Sequence, residues 1–208
     1  FIKGKPFTSD SVTVTTGTNI DGSVYDSVGG VHYNYDSSGR LIGATDQLEI
    51  DMSKLSSQTL KDKIKKIIGS GGSDVTDRIQ IRGANVLILK GSITVGSEIA
   101  GVNTFRYITI TDTTYEIRHG RALAEKTTTV NTLIVTDNSG QEARFITTTV
   151  TTILRNADGT LQGQISEIKD ELGFWTEVTR MYVRGADDGR IIGYNETMRD
   201  LLPGTQGG

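Results

Sequence analysis

Two imidazoles, scattered carboxylates and one indole are the groups with which this chain of 208 residues could do chemistry. Their spacing assembles no familiar reaction centre. His32 and His119 are far apart, one inside an alternating strand pattern and the other beside a glycine turn, so no zinc or iron site is expected. Cysteine is absent, which removes thiolate chemistry, disulfides and Cys-ligated metals. There is no Gly-x-Ser-x-Gly elbow, no phosphate-binding loop and no His-Glu-x-x-His helix. Carboxylates are plentiful enough for a glycosidase pair, yet nothing selects two of them. The acidic turns Asn156-Ala157-Asp158 and Asp187-Asp188 offer the oxygen donors that Ca²⁺ prefers but lack the bidentate Glu of an EF-hand, so no cofactor is expected, calcium being the one the residues would admit. Asp and Asn are equally the ordinary residues of tight turns. Trp175, beside Phe174, would stack on a sugar if exposed and anchor a core if buried, and burial is the expectation. Tyr33, Tyr35, Tyr107, Tyr115, Tyr182 and Tyr194 fit cross-strand ladders better than a ligand cleft. The chain is read as a protein without enzymatic activity.

Composition points the same way. Hydrophobic residues make up 35 % and aromatic residues 6 %, too few for a thick core throughout, so a thin or elongated fold is expected. Threonine occupies 29 positions; its branched side chain suits a pleated strand and its hydroxyl tolerates water. A net charge of −3 gives no reason to expect nucleic acid as a partner. No apolar run approaches the length of a membrane span. The start at Phe1, rather than Met, is read as a processed product or a fragment.

The elements that must position these residues are mostly strands. Val12 and Val14 alternate with Thr13 and Thr15, and Val31, Tyr33 and Tyr35 alternate with His32 and Asn34, the period-2 pattern of half-buried strands. One helix is predicted over 57–68, where Leu60, Ile64, Ile67 and Ile68 form an apolar stripe. Ser56 or Ser57 would cap it and Gly69 would stop it. Its lysines, Lys61, Lys63, Lys65 and Lys66, read as a solvated outer face. Gly69-Ser70-Gly71-Gly72-Ser73 reads as a flexible joint, which divides the chain into an N-terminal hairpin segment (1–56), the helix and joint (57–73) and a Thr-rich antiparallel meander (74–208). Short strands are predicted at Ile79–Ile81, Val86–Leu89 and Ile93–Val95. Long ones follow at Phe105–Arg118, Arg121–Val135, Arg144–Leu154, Leu161–Ile168, Trp175–Val183 and Ile191–Met198. The stretch Arg144–Leu154, of high β propensity and with a single charge, must either be covered by neighbouring strands or join subunits.

One hairpin signature recurs: an acidic or small turn, a glycine, then a short apolar strand. It is clearest at Gly39-Arg40-Leu41-Ile42-Gly43, Gly159-Thr160-Leu161-Gln162-Gly163 and Gly189-Arg190-Ile191-Ile192-Gly193, and looser at His119-Gly120-Arg121-Ala122-Leu123-Ala124. Within the first copy, Tyr33-Asn34-Tyr35-Asp36-Ser37-Ser38-Gly39-Arg40-Leu41 resembles the YD repeat of bacterial Rhs-type and teneurin-like surface proteins and matches every fixed position of that pattern. The full match occurs once. At Tyr182 to Ile191 the aromatic is displaced and Gly185-Ala186 replace the Tyr-Asp pair. The resemblance implies long β-hairpins, extracellular structural work and no catalytic residue. Val24-Tyr25-Asp26-Ser27-Val28-Gly29-Gly30 also resembles phrases in the outer domains of flagellar hook proteins, without their helical termini.

The expected fold is therefore mainly β, with long antiparallel hairpins and one amphipathic helix. The expected function is that of a structural subunit of an extracellular filament, sheath or surface layer, self-associating through strand edges. The alternative is a carbohydrate-binding or adhesion module, with Trp175 and exposed tyrosines as contacts.

Overall fold

The computed structural model describes residues 7–20, 22–54, 58–83, 86–186 and 189–201. The fold is mainly β, with a single α-helix among the described residues. The strands are β1 (Asp10–Thr18), β2 (Val24–Tyr35), β3 (Leu41–Thr45), β4 (Gln47–Asp51), β5 (Ile79–Arg82), β6 (Val86–Lys90), β7 (Ser92–Ala100), β8 (Asn103–Arg118), β9 (Arg121–Thr136), β10 (Glu142–Arg155), β11 (Leu161–Asp170), β12 (Trp175–Arg184) and β13 (Ile191–Leu201); the helix is α1 (Gln58–Gly71). The six long strands lie where the alternation and the turn glycines place them, each extended by one to several residues.

Ten strands form one antiparallel sheet, nine strands across, from β1 at one edge to β13 at the other. The third place is shared end to end. β7 lies between the first half of β2 and β8, while β3 pairs the last residues of β2 and touches β8 at Thr45 and Thr114. Strands β4, β6 and β5 make a second, small sheet. Side chains alternate along each strand of the large sheet. On its inner face Val28, Ile93, Val95, Ile108 and Ile134 join Leu48, Leu87, Leu89 and Ile79 of the small sheet and Ile64 and Ile67 of α1 in one core. Each fully buried Ile or Leu contributes about 1.5–3 kcal/mol of burial free energy. The core thus draws on residues from both sides of the 57–73 segment. Beyond β9 the second layer ends, and none of the core residues comes from β10–β13.

The helix ends differently from its prediction. Gly69 and Gly71 remain helical, and the left-handed residue is Gly72 (φ 56°), which opens a 3₁₀ turn over Gly72–Val75. Packing overrides the glycine stop: Val75 is fully buried against Gly71, where a Cβ would approach its side chain to 2.5 Å. The predicted flexible joint is therefore a packed corner. The predicted caps Ser56 and Ser57 lie outside the described residues.

Two of the clear copies of the hairpin signature, at Gly39 and Gly159, share one geometry, which recurs at two further turns. At Gly189 (φ 65°) the turn is longer, with Gly185 N–H bonded to Arg190 O at 2.8 Å. Asp36, Asp137, Asn156 and Asp170 each open a turn of the same form, with a glycine at the fourth residue at φ 82–84°. The first residue exchanges backbone bonds with the fifth and fourth, as in Asp36 N–H to Arg40 O at 2.9 Å and Gly39 N–H to Asp36 O at 2.9 Å. This is a type I turn closed by a left-handed glycine. In three copies the carboxylate accepts the N–H groups of the third and fifth residues, at 2.8–3.0 Å. His119 (φ 49°) and Gly120 (φ 73°) form a two-residue turn instead, which explains the looser fit of that copy.

Candidate functional site

The most unusual surface is the uncovered sheet itself. Among the described residues strands β10 to β13 form a single layer without a packed second layer, met by the 3₁₀ turn where Arg144 reaches Asp74 at 2.5 Å. Apolar side chains that would be core elsewhere are therefore wet: Phe145 is 52 % exposed, Met198 63 % and Ile192 70 %. What binds this layer together is ladder hydrogen bonding and cross-strand pairing. Arg180 lies 4.3 Å from the centre of the Tyr194 ring and 2.5 Å from Glu196, and Tyr182 sits directly opposite Tyr194. Thr151 and Ser166 share a hydroxyl bond of 2.9 Å.

Two edges bound the large sheet. Among the described residues, β1 pairs only with β2, and β13 only with β12. Neither strand contains proline or lysine, the residues that usually blunt an edge. The stretch Arg144–Leu154 is not an edge: β10 is paired with β9 on one side and β11 on the other, so its neighbours cover it.

The residues with chemical potential do not converge. His32 Nδ1 stands 2.8 Å from Asp10 across the β1–β2 ladder, with Nε2 3.1 Å from Asn34, while His119 is at the far β8–β9 turn. Among the described residues no three His, Asp or Glu side chains stand close enough to hold a metal ion. The Asp158 carboxylate accepts the hydroxyl and the N–H of Thr160, bonds that hold it below the usual carboxylate range. Asp187 and Asp188 lie outside the described residues. Trp175, expected to anchor the core, sits instead at the start of β12 opposite Lys169 and Leu201, partly buried on the single-layer sheet.

One cluster has no sequence motif. Asp46, in the single-residue step between β3 and β4, is only 7 % exposed, and its carboxylate accepts the backbone N–H of Thr113 beside the β8 bulge. Burial pushes this carboxyl up; the Thr113 bond opposes the shift and the neighbouring Asp112 charge adds to it. Arg78 meets Asp112 at 2.5 Å, and with Tyr115 and Lys126 these groups line a cleft of about 560 Å³. Arg78 neutralises Asp112, and Asp46 ties down the point where β8 passes from β7 to β3. Asp46, Arg78 and Asp112 are each more than thirty positions from the next and leave no linear signal; the position of Asp46 between two strand patterns is the only hint.

Comparison of the chain with protein-family models, with curated proteins and with solved structures finds no match.

Proposed function

We propose that this chain is a structural subunit that assembles through its sheet edges into an extracellular filament, sheath or surface layer. The observation that carries this reading is the single-layer sheet β10–β13, which ends in an edge strand without proline or lysine. A sheet with both faces wet gains little from burial, and its stability rests on how many strands it can pair. An added strand satisfies a whole row of backbone donors and acceptors, and pairing at an edge is the ordinary route by which sheets join. No reaction is proposed: in the cleft that holds Asp46 and Asp112, Asp46 accepts the Thr113 backbone N–H and Asp112 is paired with Arg78.

Negative-stain electron microscopy of native protein, with light scattering on a dilution series, tests the reading. Ordered polymers that persist on dilution are expected, and Thr197→Pro, which places a proline in the middle of β13, should shorten or abolish them. A chain that stays monomeric at every concentration and yields no ordered polymer overturns it. Fractionation of the native source tests the extracellular placement separately.

A further inference from the structure

We propose that the open face of the large sheet carries a binding platform for a neutral pyranose sugar, centred on one cross-strand row: Gly17, Tyr25, Gly96 and Tyr107. The proposal is independent of assembly through edges.

These four residues stand side by side on β1, β2, β7 and β8, glycine alternating with tyrosine. Each ring leans into the space that a glycine leaves. The phenol end of Tyr25 lies over Gly17, so close that a Cβ there would stand 2.6 Å from its Cε1. Tyr107 leans the same way, over Gly96. Its Cδ2 is 3.8 Å from where a Gly96 Cβ would be, and its hydroxyl donates to Glu98 at 3.1 Å. The two rings rise from strands about 10 Å apart, two strand spacings. Between them lies a recess of about 440 Å³ with Asn19, Ser23, Thr94 and Thr109 around it, within the range of roughly 300–1,000 Å³ that small ligands occupy.

The lining selects the ligand class. It contains aromatic faces, hydroxyls, an amide and the aliphatic Val24, and the one charge beside it is the Glu98 carboxylate, held by the Tyr107 hydroxyl. An anionic ligand would find no counter-charge and would meet the Glu98 carboxylate, a cationic one would find that single carboxylate at the edge, and a purely apolar one would strand the hydroxyls. A pyranose suits both parts, because its C–H face is drawn to the negative face of an aromatic ring while its hydroxyls bond to the rim. The rim is already oriented. Thr94 donates to Ser27 at 2.9 Å, Thr109 to Asn131 at 2.8 Å and the Asn19 amide to Ser23 at 2.8 Å, and each threonine oxygen keeps acceptor capacity toward an incoming hydroxyl. Tyrosines that cover glycines also stabilise a sheet without binding anything, so the test must read binding and not stability.

The intact chain is applied to an array of neutral oligosaccharides built from glucose, mannose, xylose and N-acetylglucosamine. Binding to at least one class is expected, insensitive to salt and weakened about tenfold or more by Tyr107→Ala. Thr109→Val, which keeps shape and strand propensity and so the fold, is expected to weaken the same binding, while Trp175→Ala leaves it unchanged. Cooperative melting of each variant confirms folding. Failure of the native chain to bind any neutral oligosaccharide overturns the proposal, as does binding that survives both Tyr107→Ala and Thr109→Val or that disappears with Trp175→Ala.

Discussion

The two halves of the large sheet obey the same backbone rules and solve the burial problem in opposite ways. From β1 to β9 the inner face carries valine and isoleucine against a helix and a second sheet, and Ile93 is completely buried. From β10 to β13 no described helix or second sheet packs on the strands, although Arg144 of β10 reaches Asp74 of the 3₁₀ turn at 2.5 Å, and residues as apolar as Phe145 and Met198 are more than half exposed. The modest hydrophobic content of the chain is concentrated into one core instead of spread over a sandwich. The lesson is that ladder bonds, turns and cross-strand pairs extend a sheet well past the point where its core stops, provided one end is anchored in a packed layer.

The contrast is open to direct attack. Ile93→Ala is expected to cost about 2–5 kcal/mol in urea unfolding, through lost burial and a cavity. Phe145→Ala on β10 should change stability by only about 0.5 kcal/mol or less, and comparable losses at the two sites would refute the distinction. Glycine replacements sharpen it. Gly91 and Gly140 both have left-handed φ, at 74° and 82°, a conformation that costs a side-chain-bearing residue about 1–2 kcal/mol. At Gly91 a new Cβ also meets the Thr111 carbonyl oxygen at 2.5 Å, whereas at Gly140 it meets open space. Gly91→Ala should therefore be the more damaging of the two in thermal melts.

Charge in the covered half supplies a pH-dependent version of the test. Asp26 is buried on β2, and burial alone would push its carboxyl up. The Lys66 ammonium at 2.6 Å and the Thr16 hydroxyl at 2.7 Å outweigh that and hold it below the usual carboxylate range. Its contribution to stability is thus present above the ordinary carboxylate pKa and lost as the pH falls through the depressed value. Lys66→Met should cost about 1 kcal/mol at neutral pH, the low end for an unpaired buried acceptor because the ammonium itself is exposed, and the cost should fade in acid. Asp46 runs in the opposite sense. Its carboxyl is raised by burial, so its contribution is full below the ordinary carboxylate pKa and declines as the pH rises through the raised value. Asp46→Asn, which retains an acceptor for Thr113, should lessen that decline; equal pH profiles for variant and native chain would disprove it. The smallest effect belongs to the exposed turns. Asp137→Ala removes the acceptor for the Ser139 hydroxyl and N–H and the Gln141 N–H, bonds that lower its pKa, so a slight fall in melting temperature is expected at neutral pH and none in strong acid.

Much of the fold is legible in the sequence because its signals are local. The alternation of Val12 and Val14 with threonines, and the Asp-x-x-Gly turns at 36–39, 137–140 and 170–173, mark strands and hairpins without reference to anything distant. What is not legible depends on remote partners. The run of helix through Gly69 and Gly71 depends on Val75 folding back. The sharing of one place in the sheet by β3 and β7 depends on pairs such as His32 with Thr45 and Ser27 with Thr94. The row of Gly17, Tyr25, Gly96 and Tyr107 comes from four strands, and read singly its glycines suggest bends and its tyrosines simple ladders.

Nine, the number of strands across the large sheet, is odd. Where every neighbour is antiparallel, the first and last strands of an odd set run the same way, so β1 and β13 share a direction. Copies stacked by translation alone would meet there as parallel strands, the slightly weaker pairing. Half a turn about the sheet normal brings like edges together, β13 to β13 or β1 to β1, and restores the antiparallel pattern used at every other junction. Such a contact is isologous. A filament built only from contacts of this kind has two-fold axes across its length and no polarity, so an observer could not tell one direction along it from the reverse.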